Sequence, residues 1–199
     1  YGDPEAANLT CLGLHALQHR GQEGAGIATA DGGLIRTHRG LGLVSDVFDA
    51  ARLRTLSGSL AVGHVRYSTA GEAALRSVQP FTVRCRAGQV SVVHNGNLVN
   101  AAGLKAELEE RGSIFNTTSD TEVILHLIAS SSQATFVNRL VDAIARLTGA
   151  YSLVVMTPDT LVAVRDPRGF RPLVLGKLGD AWVVCSESCA LTLIGASLV

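Results

Sequence analysis

Polar residues suited to chemistry lie at four points where an apolar segment ends or a helix begins. These points are residues 19–21, 66–69, 94–97 and 119–120. An arginine at a strand end can bind a carboxylate through two parallel hydrogen bonds. An aspartate at a helix N-terminus stays ionised because the helix dipole favours its charge. Facing each other, Arg66 and Asp120 suit the carboxylate and the ammonium group of an α-amino acid. Each residue alone is also compatible with a surface ion pair or a plain helix N-terminus.

The stretch 90–100, Val-Ser-Val-Val-His-Asn-Gly-Asn-Leu-Val-Asn, combines a predicted strand with a predicted turn. Its β-branched valines, with polar residues between them, favour a strand up to His94. Asn95-Gly96 is the strongest short turn signal, so we expect the strand to break there. Such a break leaves backbone N–H groups unpaired, and with the Asn95 amide they are the donors from which an oxyanion hole is built. A plain hairpin turn is the alternative interpretation.

The composition excludes several classes of partner. Of the 199 residues, 47% are hydrophobic and 17% are charged, so we expect a large buried core. The 17 basic and 17 acidic residues give zero net charge, and without a basic run nucleic acid and anionic membranes are poor candidates as partners. The apolar runs are too short to span a bilayer. The four cysteines lack Cys-x-x-Cys and zinc-finger spacing, so we expect reduced cysteines, no metal site and a cytoplasmic protein.

Hydrophobic periodicity and turn residues predict the elements that must position these side chains. Helices are expected over residues 5–19, 45–56, 100–111, 119–128 and 135–147. Strands are expected over 25–30, 34–38, 59–66, 81–86 and 89–94, followed by a β-meander over 151–186. Ser119 and Glu122 fit a capping box that places Asp120 at the first helical position. Because hairpins rather than helices join most strands, the sequence predicts a single α+β domain with antiparallel sheets.

Four blocks, in this order, resemble the class II glutamine amidotransferase domain. They are Leu-Gln-His-Arg-Gly-Gln-Glu-Gly-Ala-Gly-Ile at 17–27, Gly-His-Val-Arg-Tyr-Ser-Thr at 63–69, His-Asn-Gly-Asn-Leu at 94–98 and Ser-Asp-Thr-Glu at 119–122. Within that family the chain is most similar to the amidophosphoribosyltransferases, because of Asp-Pro-Arg-Gly-Phe-Arg-Pro-Leu at 166–173 and Ser-Glu-Ser-Cys-Ala at 186–190. The resemblance covers residues 1–199. It implies the N-terminal-nucleophile fold, an αββα four-layer sandwich of two antiparallel sheets between helices.

The resemblance also implies a role for each matching residue. Arg66 would bind the α-carboxylate of glutamine and Asp120 its α-ammonium group, with Thr69 lining the same pocket. The side chain of Asn95 and the backbone N–H of Gly96 would form the oxyanion hole. Arg20 and Gly21 would shape the loop over the bound glutamine; these last two complete the set of predicted site residues.

The nucleophile of this family is an N-terminal cysteine within Cys-Gly-x-x-Gly, whose own amine serves as the base. That segment would stand just ahead of Tyr1. None of the four cysteines matches it: Cys11, Cys85, Cys185 and Cys189. The chain starts without methionine and ends on an apolar run, so we expect a fragment cut at both ends. As given, we expect this glutaminase domain, without its cysteine strand, not to hydrolyse glutamine.

The implied parent reaction, in purine biosynthesis, converts glutamine, phosphoribosyl pyrophosphate and water into phosphoribosylamine, glutamate and pyrophosphate. A phosphoribosyltransferase domain that uses Mg²⁺ would follow Val199 and receive the ammonia. Some members hold an iron–sulfur cluster with cysteines mainly beyond this stretch, so none is assigned to these residues. The implied partners are glutamine, the phosphoribosyltransferase domain and further copies of the chain in a homo-oligomer. Two alternatives remain: a non-catalytic glutamine-binding module, and another class II amidotransferase, such as a glucosamine-6-phosphate or glutamate synthase.

Overall fold

The computed structural model describes residues 1–67 and 75–199. The strands are β1 Gly24–Asp31, β2 Leu34–Leu41, β3 Leu60–Arg66, β4 Phe81–Cys85, β5 Gly88–Leu98, β6 Gly149–Met156, β7 Leu161–Arg165, β8 Val174–Leu178, β9 Ala181–Cys185 and β10 Ser197–Leu198. The helices are α1 Ala6–Ala16, α2 Val44–Val47, α3 Ala50–Thr55, α4 Ala101–Glu110, α5 Asp120–Ser130, α6 Phe136–Ile144 and α7 Ser188–Ile194. The predicted site residue Thr69 lies outside the described residues.

Every described strand pairs with its neighbours in antiparallel orientation, as the sequence predicts. The strand orders are β2-β1-β3, β10-β8-β9 and β4-β5-β6-β7. The predicted single β-meander over 151–186 is wrong, because β6 and β7 belong to the four-stranded sheet whereas β8 and β9 pair with β10. The chain leaves the four-stranded sheet after β7, at Asp166. The carboxylate of Asp166 accepts the backbone N–H groups of Arg168 (2.9 Å) and Phe170 (3.0 Å). These hydrogen bonds close a turn that redirects the chain.

Three apolar clusters arrange these elements into an αββα sandwich. Helices α4 to α6 cover the four-stranded sheet, with Ile124 and Leu127 packed in one cluster with Val92 and Leu153. A second cluster lies between the sheets and includes strands β1, β3, β5 and β6. Helices α1 and α2 cover the other side of β1 and β3, and α7 packs beside α1. The fold class predicted from the resemblance is therefore confirmed, and its described strands form one four-stranded and two three-stranded sheets.

The predicted break at Asn95-Gly96 is wrong, because β5 continues as a strand to Leu98. Asn95 pairs with Ser152 of β6 and Gly96 pairs with Tyr151, without a change of register. A long partner strand therefore overrides the local turn propensity of Asn-Gly. A Cβ on Gly96 would lie 2.0 Å from the carbonyl oxygen of Ala150. Glycine is thus required here for close strand approach rather than for a turn.

The alternation of the ladder decides which way the N–H groups of this strand point. Just past the strand, Val99 donates its N–H to Thr148 on the β6 side. Antiparallel alternation then directs the N–H groups of His94, Gly96 and Leu98 to the opposite edge. Strand β4 pairs with β5 only from Gly88 to Val92, so it does not cover that edge. The predicted N–H donor at Gly96 thus points away from its paired strand, although no turn produces it.

The helix over 119–128 begins as predicted, but its capping differs. The hydroxyl of Ser119 accepts the N–H of Thr121 at 3.3 Å, so Ser119 is the N-cap and Asp120 the first helical residue. The carboxylate of Glu122 instead accepts N–H groups of Asn116 (2.8 Å) and Thr117 (2.7 Å), which fixes the preceding loop. The expected helix over 45–56 is divided into α2 and α3, and α7 had not been predicted. In the described ranges, no helix combines the length and apolar character needed to cross a membrane.

Candidate functional site

One cavity of about 720 Å³ lies where β3, β5, β9 and the start of α5 meet. Five of the predicted site residues line it: Arg20, Arg66, Asn95, Gly96 and Asp120. They come from sequence positions up to 100 residues apart, so the fold brings together the groups that the sequence singled out. Gly21 is not among the residues that line the cavity.

The carboxylate of Asp120 is held against the end of β5. Its Oδ2 accepts the N–H of Leu98 at 2.9 Å, and its Oδ1 lies 3.4 Å from Nδ1 of His94. Burial opposes ionisation of Asp120, but its hydrogen bond and electrostatic interaction with His94, together with the N–H groups of Leu98 and Thr121, lower its pKa below the ordinary value. Asp120 is therefore an anion at neutral pH that can bind an ammonium group.

Arg66 ends β3 and is fixed from two sides. Its Nη1 donates to the carbonyl oxygen of Ser77 at 2.7 Å, and its Nε lies 3.5 Å from Oε2 of Glu23. The loop at Gly21 packs directly on the backbone of Arg66, since a Cβ there would lie 2.5 Å from the Arg66 carbonyl carbon. This contact explains the glycine that the sequence placed in the loop. The guanidinium is thus a positioned cation on the cavity wall.

Asn95 and His64 bring buried polar atoms without hydrogen-bond partners to the same cavity. Among the described residues, neither Nδ2 of Asn95 nor Nδ1 of His64 has a hydrogen-bond partner. Buried polar groups are otherwise almost always hydrogen-bonded, so these two atoms point to a polar ligand. Burial is the main cause that lowers the pKa of His64 to about 4. Electrostatic interactions with His94, Arg66 and Arg20 add to the shift, although a backbone hydrogen bond at His94 opposes it. His64 is therefore neutral at pH 7, and it is a cavity residue that was not among the predicted site residues.

Arg20 is held by a residue far along the chain. Its Nη1 donates to Oε1 of Glu187 at 2.9 Å, and Nε2 of His19 lies 3.1 Å from Oε2 of the same carboxylate. Glu187 precedes α7 and belongs to the 186–190 block, whose purpose sequence reasoning did not identify. The contact joins that block to the loop at residues 18–21.

Of the four cysteines, Cys185 lines the cavity. Burial is the main cause that raises its pKa, so the thiol is protonated at neutral pH and poorly nucleophilic. Burial likewise raises the pKa of Cys11, which lies in α1. Among the residues that the structure describes, no group of three or more His, Cys, Asp or Glu side chains is arranged to hold a metal ion.

Comparison with known proteins gives consistent matches. A family model described as "Glutamine amidotransferase domain" matches residues 64–193. The chloroplastic amidophosphoribosyltransferase 2 of Arabidopsis thaliana is 59% identical over 199 residues, covering 99% of this chain and 36% of that protein. The amidophosphoribosyltransferase of Bacillus subtilis is 47% identical over 198 residues, covering 99% of this chain and 42% of that protein.

Solved structures agree with the sequence comparisons. The glutamine phosphoribosylpyrophosphate amidotransferase of B. subtilis, complexed with ADP and GMP, superposes with a TM-score of 0.95 at 46% identity. That match covers 100% of this chain and 43% of the solved one. The chain thus spans about two fifths of the length of the relatives it matches.

Proposed function

The chain belongs to the family of glutamine amidotransferase domains, and we propose that it is the glutamine-hydrolysing part of an amidophosphoribosyltransferase. The observation that carries the proposal is the convergence of Arg66, Asp120 and the Asn95–Gly96 donors on one cavity. Glutamine has one group for each of them: a carboxylate, an ammonium group and a side-chain carbonyl. The relatives that match nearly the whole chain carry the amidophosphoribosyltransferase name, which supports this branch of the family.

The charged pair binds the amino-acid end of glutamine. Arg66 takes the α-carboxylate through charge-assisted hydrogen bonds. Asp120, ionised by the contacts that lower its pKa, takes the α-ammonium group. Arg20 lines the same cavity, and Gly21 lets the loop of Arg20 pack on Arg66. A role for Thr69 in glutamine binding rests on the resemblance alone.

The donors on β5 act on the amide end. When a thiolate attacks the side-chain carbonyl carbon, its oxygen becomes an anion, and Nδ2 of Asn95 and the N–H of Gly96 donate to it. The carbon–nitrogen bond then breaks, ammonia leaves with a proton from the base, and the acyl group stays on sulfur as a thioester. Water hydrolyses that thioester to glutamate. The unpartnered Nδ2 of Asn95 supports this role, because the donor is in place before the reaction begins.

We propose that the nucleophilic cysteine comes from a strand that precedes Tyr1. Among the described strands, β3 and β9 are both sheet edges, and every residue of 61–67 and 181–186 lines the cavity between them. A further strand fits this groove. Tyr1 already pairs with Trp182 of β9, through Tyr1 N to Trp182 O at 2.9 Å and Trp182 N to Tyr1 O at 3.0 Å. The raised pKa of Cys185 argues against it as the nucleophile.

The remaining parts of the proposal concern the whole protein. A phosphoribosyltransferase domain after Val199 uses the ammonia to convert phosphoribosyl pyrophosphate into phosphoribosylamine, with Mg²⁺ bound in that domain. The protein is a homo-oligomer of the cytoplasm. The phosphoribosyl transfer agrees with the names of the relatives, whereas the homo-oligomer rests on the resemblance alone and the cytoplasm on the cysteine pattern.

Replacing Asp120 by asparagine in the full-length protein tests the site. We expect the KM for glutamine to rise roughly tenfold to a hundredfold, since a hydrogen bond to a charged group is worth about 1.5–3 kcal/mol. Synthesis from added ammonia should stay unchanged, because it bypasses this cavity. Asp180→Asn, at an exposed position between β8 and β9, is the matched control. An unchanged KM contradicts the assignment, and glutamine binding by the wild type without ammonia release favours a binding module instead.

A further inference from the structure

The side chain of Gln79 is a buried amide that joins β5 to α5 beside the cavity. Its Oε1 accepts the N–H of His94 at 2.6 Å, and its Nε2 donates to the carbonyl oxygen of His94 at 3.2 Å. The same Nε2 lies 3.3 Å from Oγ1 of Thr121. All three residues are buried. One side chain therefore binds a strand and a helix at the same time.

At His94 this amide takes the place of a neighbouring strand. Strand β4 pairs with β5 only up to Val92, and His94 is the next residue whose N–H points to that uncovered edge. Gln79 then offers one acceptor and one donor in a plane, as a backbone peptide group would. Its hydrogen bonds keep β5 extended at the residue that directly precedes Asn95.

At Thr121 the same amide holds the start of α5. Thr121 directly follows Asp120, and its hydroxyl also lies 3.1 Å from Nδ1 of His94. Gln79 thus contacts the residue before the oxyanion donor and the residue after the carboxylate.

We propose that Gln79 is a positioning residue that fixes the distance between the Asn95–Gly96 donors and the carboxylate of Asp120. The inference rests on the proposed function, because that distance matters only when one ligand contacts both groups. Glutamine held at its ammonium by Asp120 must present its side-chain carbonyl to Asn95, so an error in this spacing misplaces the reacting carbon. A glutamate at position 79 keeps the acceptor for His94 but cannot donate to its carbonyl oxygen or to Thr121.

The test compares Gln79→Glu and Gln79→Leu in the full-length enzyme with Gln89→Leu. Gln89 lies on β5 away from the cavity and also makes one long-range hydrogen bond, accepting the N–H of Ile35 at 2.8 Å. We expect both Gln79 variants to lower kcat/KM for glutamine roughly tenfold to a hundredfold, the range for removing one partner of a buried hydrogen bond. Ammonia-dependent synthesis should stay at the wild-type rate in all three variants. Gln79→Glu is nearly isosteric, so it carries the test if the leucine variant does not fold.

Combining Gln79→Glu with Asp120→Asn separates positioning from mere support of the fold. If Gln79 acts by setting the distance to Asp120, the double variant should lose no more glutamine activity than Asp120→Asn alone. The inference would be overturned if the fold-losses of glutamine activity in the two single variants multiplied in the double variant. It would also be overturned if the Gln79 variants lost glutamine-dependent and ammonia-dependent activity equally. If Asp120→Asn alone leaves the KM for glutamine unchanged, the proposed function is refuted instead. The two failures are therefore distinguishable.

Discussion

Replacing Asn95 by leucine should make the chain more stable and the enzyme slower. The Nδ2 atom of Asn95 is buried without a hydrogen-bond partner in the part of the chain that the structure describes, a state that costs about 1–3 kcal/mol for such a group. Leucine has a similar shape and no donor to leave unpaired. We expect the free energy of unfolding to rise by about 1–2 kcal/mol, equivalent to about 2–8 °C in Tm for a chain of this size. The same change removes an oxyanion donor, so kcat with glutamine should fall roughly a hundredfold to a thousandfold.

Two measurements check this opposition between stability and rate. Urea unfolding of the chain gives the free energy, with Asn138→Leu, an exposed position on α6, as the control for adding an apolar side chain. Steady-state kinetics of the full-length enzyme give kcat, with ammonia-dependent synthesis as the control for folding. The KM for glutamine should change less than kcat, because the donor acts on charge that develops in the transition state. A variant less stable than the wild type, or one whose kcat falls less than about threefold, would refute the reasoning.

Two further predictions concern the edges of the cavity. Glu187→Gln weakens the contacts to Arg20 and His19, which are partly exposed and worth at most about 1 kcal/mol each. The KM for glutamine should therefore rise by no more than about fivefold. If Glu187→Gln raises the KM equally in an Arg20→Ala background, the role of this contact is contradicted. The pKa of His64 is about 4 in the folded chain, below its ordinary value, so the unfolded chain binds more protons between these pH values. The free energy of unfolding should fall as the pH decreases from about 6.5 to 4, by at most about 1.4 kcal/mol per pH unit, and urea titrations of His64→Gln should show a smaller slope.

The sequence could predict the charged residues of the candidate site but not the residues that hold them in place. Arg66 and Asp120 stand at predicted element ends, so local signals of strand end and helix cap were sufficient to find them. Gln79 contacts residues 15 and 42 positions away, and Glu187 contacts Arg20 across 167 positions. Such pairs depend on which strands and helices become neighbours, and no local pattern encodes that. The same reason accounts for the separate sheet of β8 and β9, since local turn signals cannot tell which sheet a hairpin joins.

The extended strand at Asn95 orients the hydrogen-bond donors of the site better than the turn that the local sequence favours. A turn would leave several N–H groups free to solvent and loosely oriented, whereas pairing with β6 fixes Asn95 and Gly96 in an extended backbone. On the edge away from β6, the N–H of His94 is taken by Gln79 and that of Leu98 by Asp120. The N–H of Gly96 lies between these two on the same edge, and Gly96 lines the cavity. Because its two neighbours are satisfied by fixed side chains, this one donor is oriented in advance for a ligand oxygen, which is the condition for strong electrostatic stabilisation of an oxyanion.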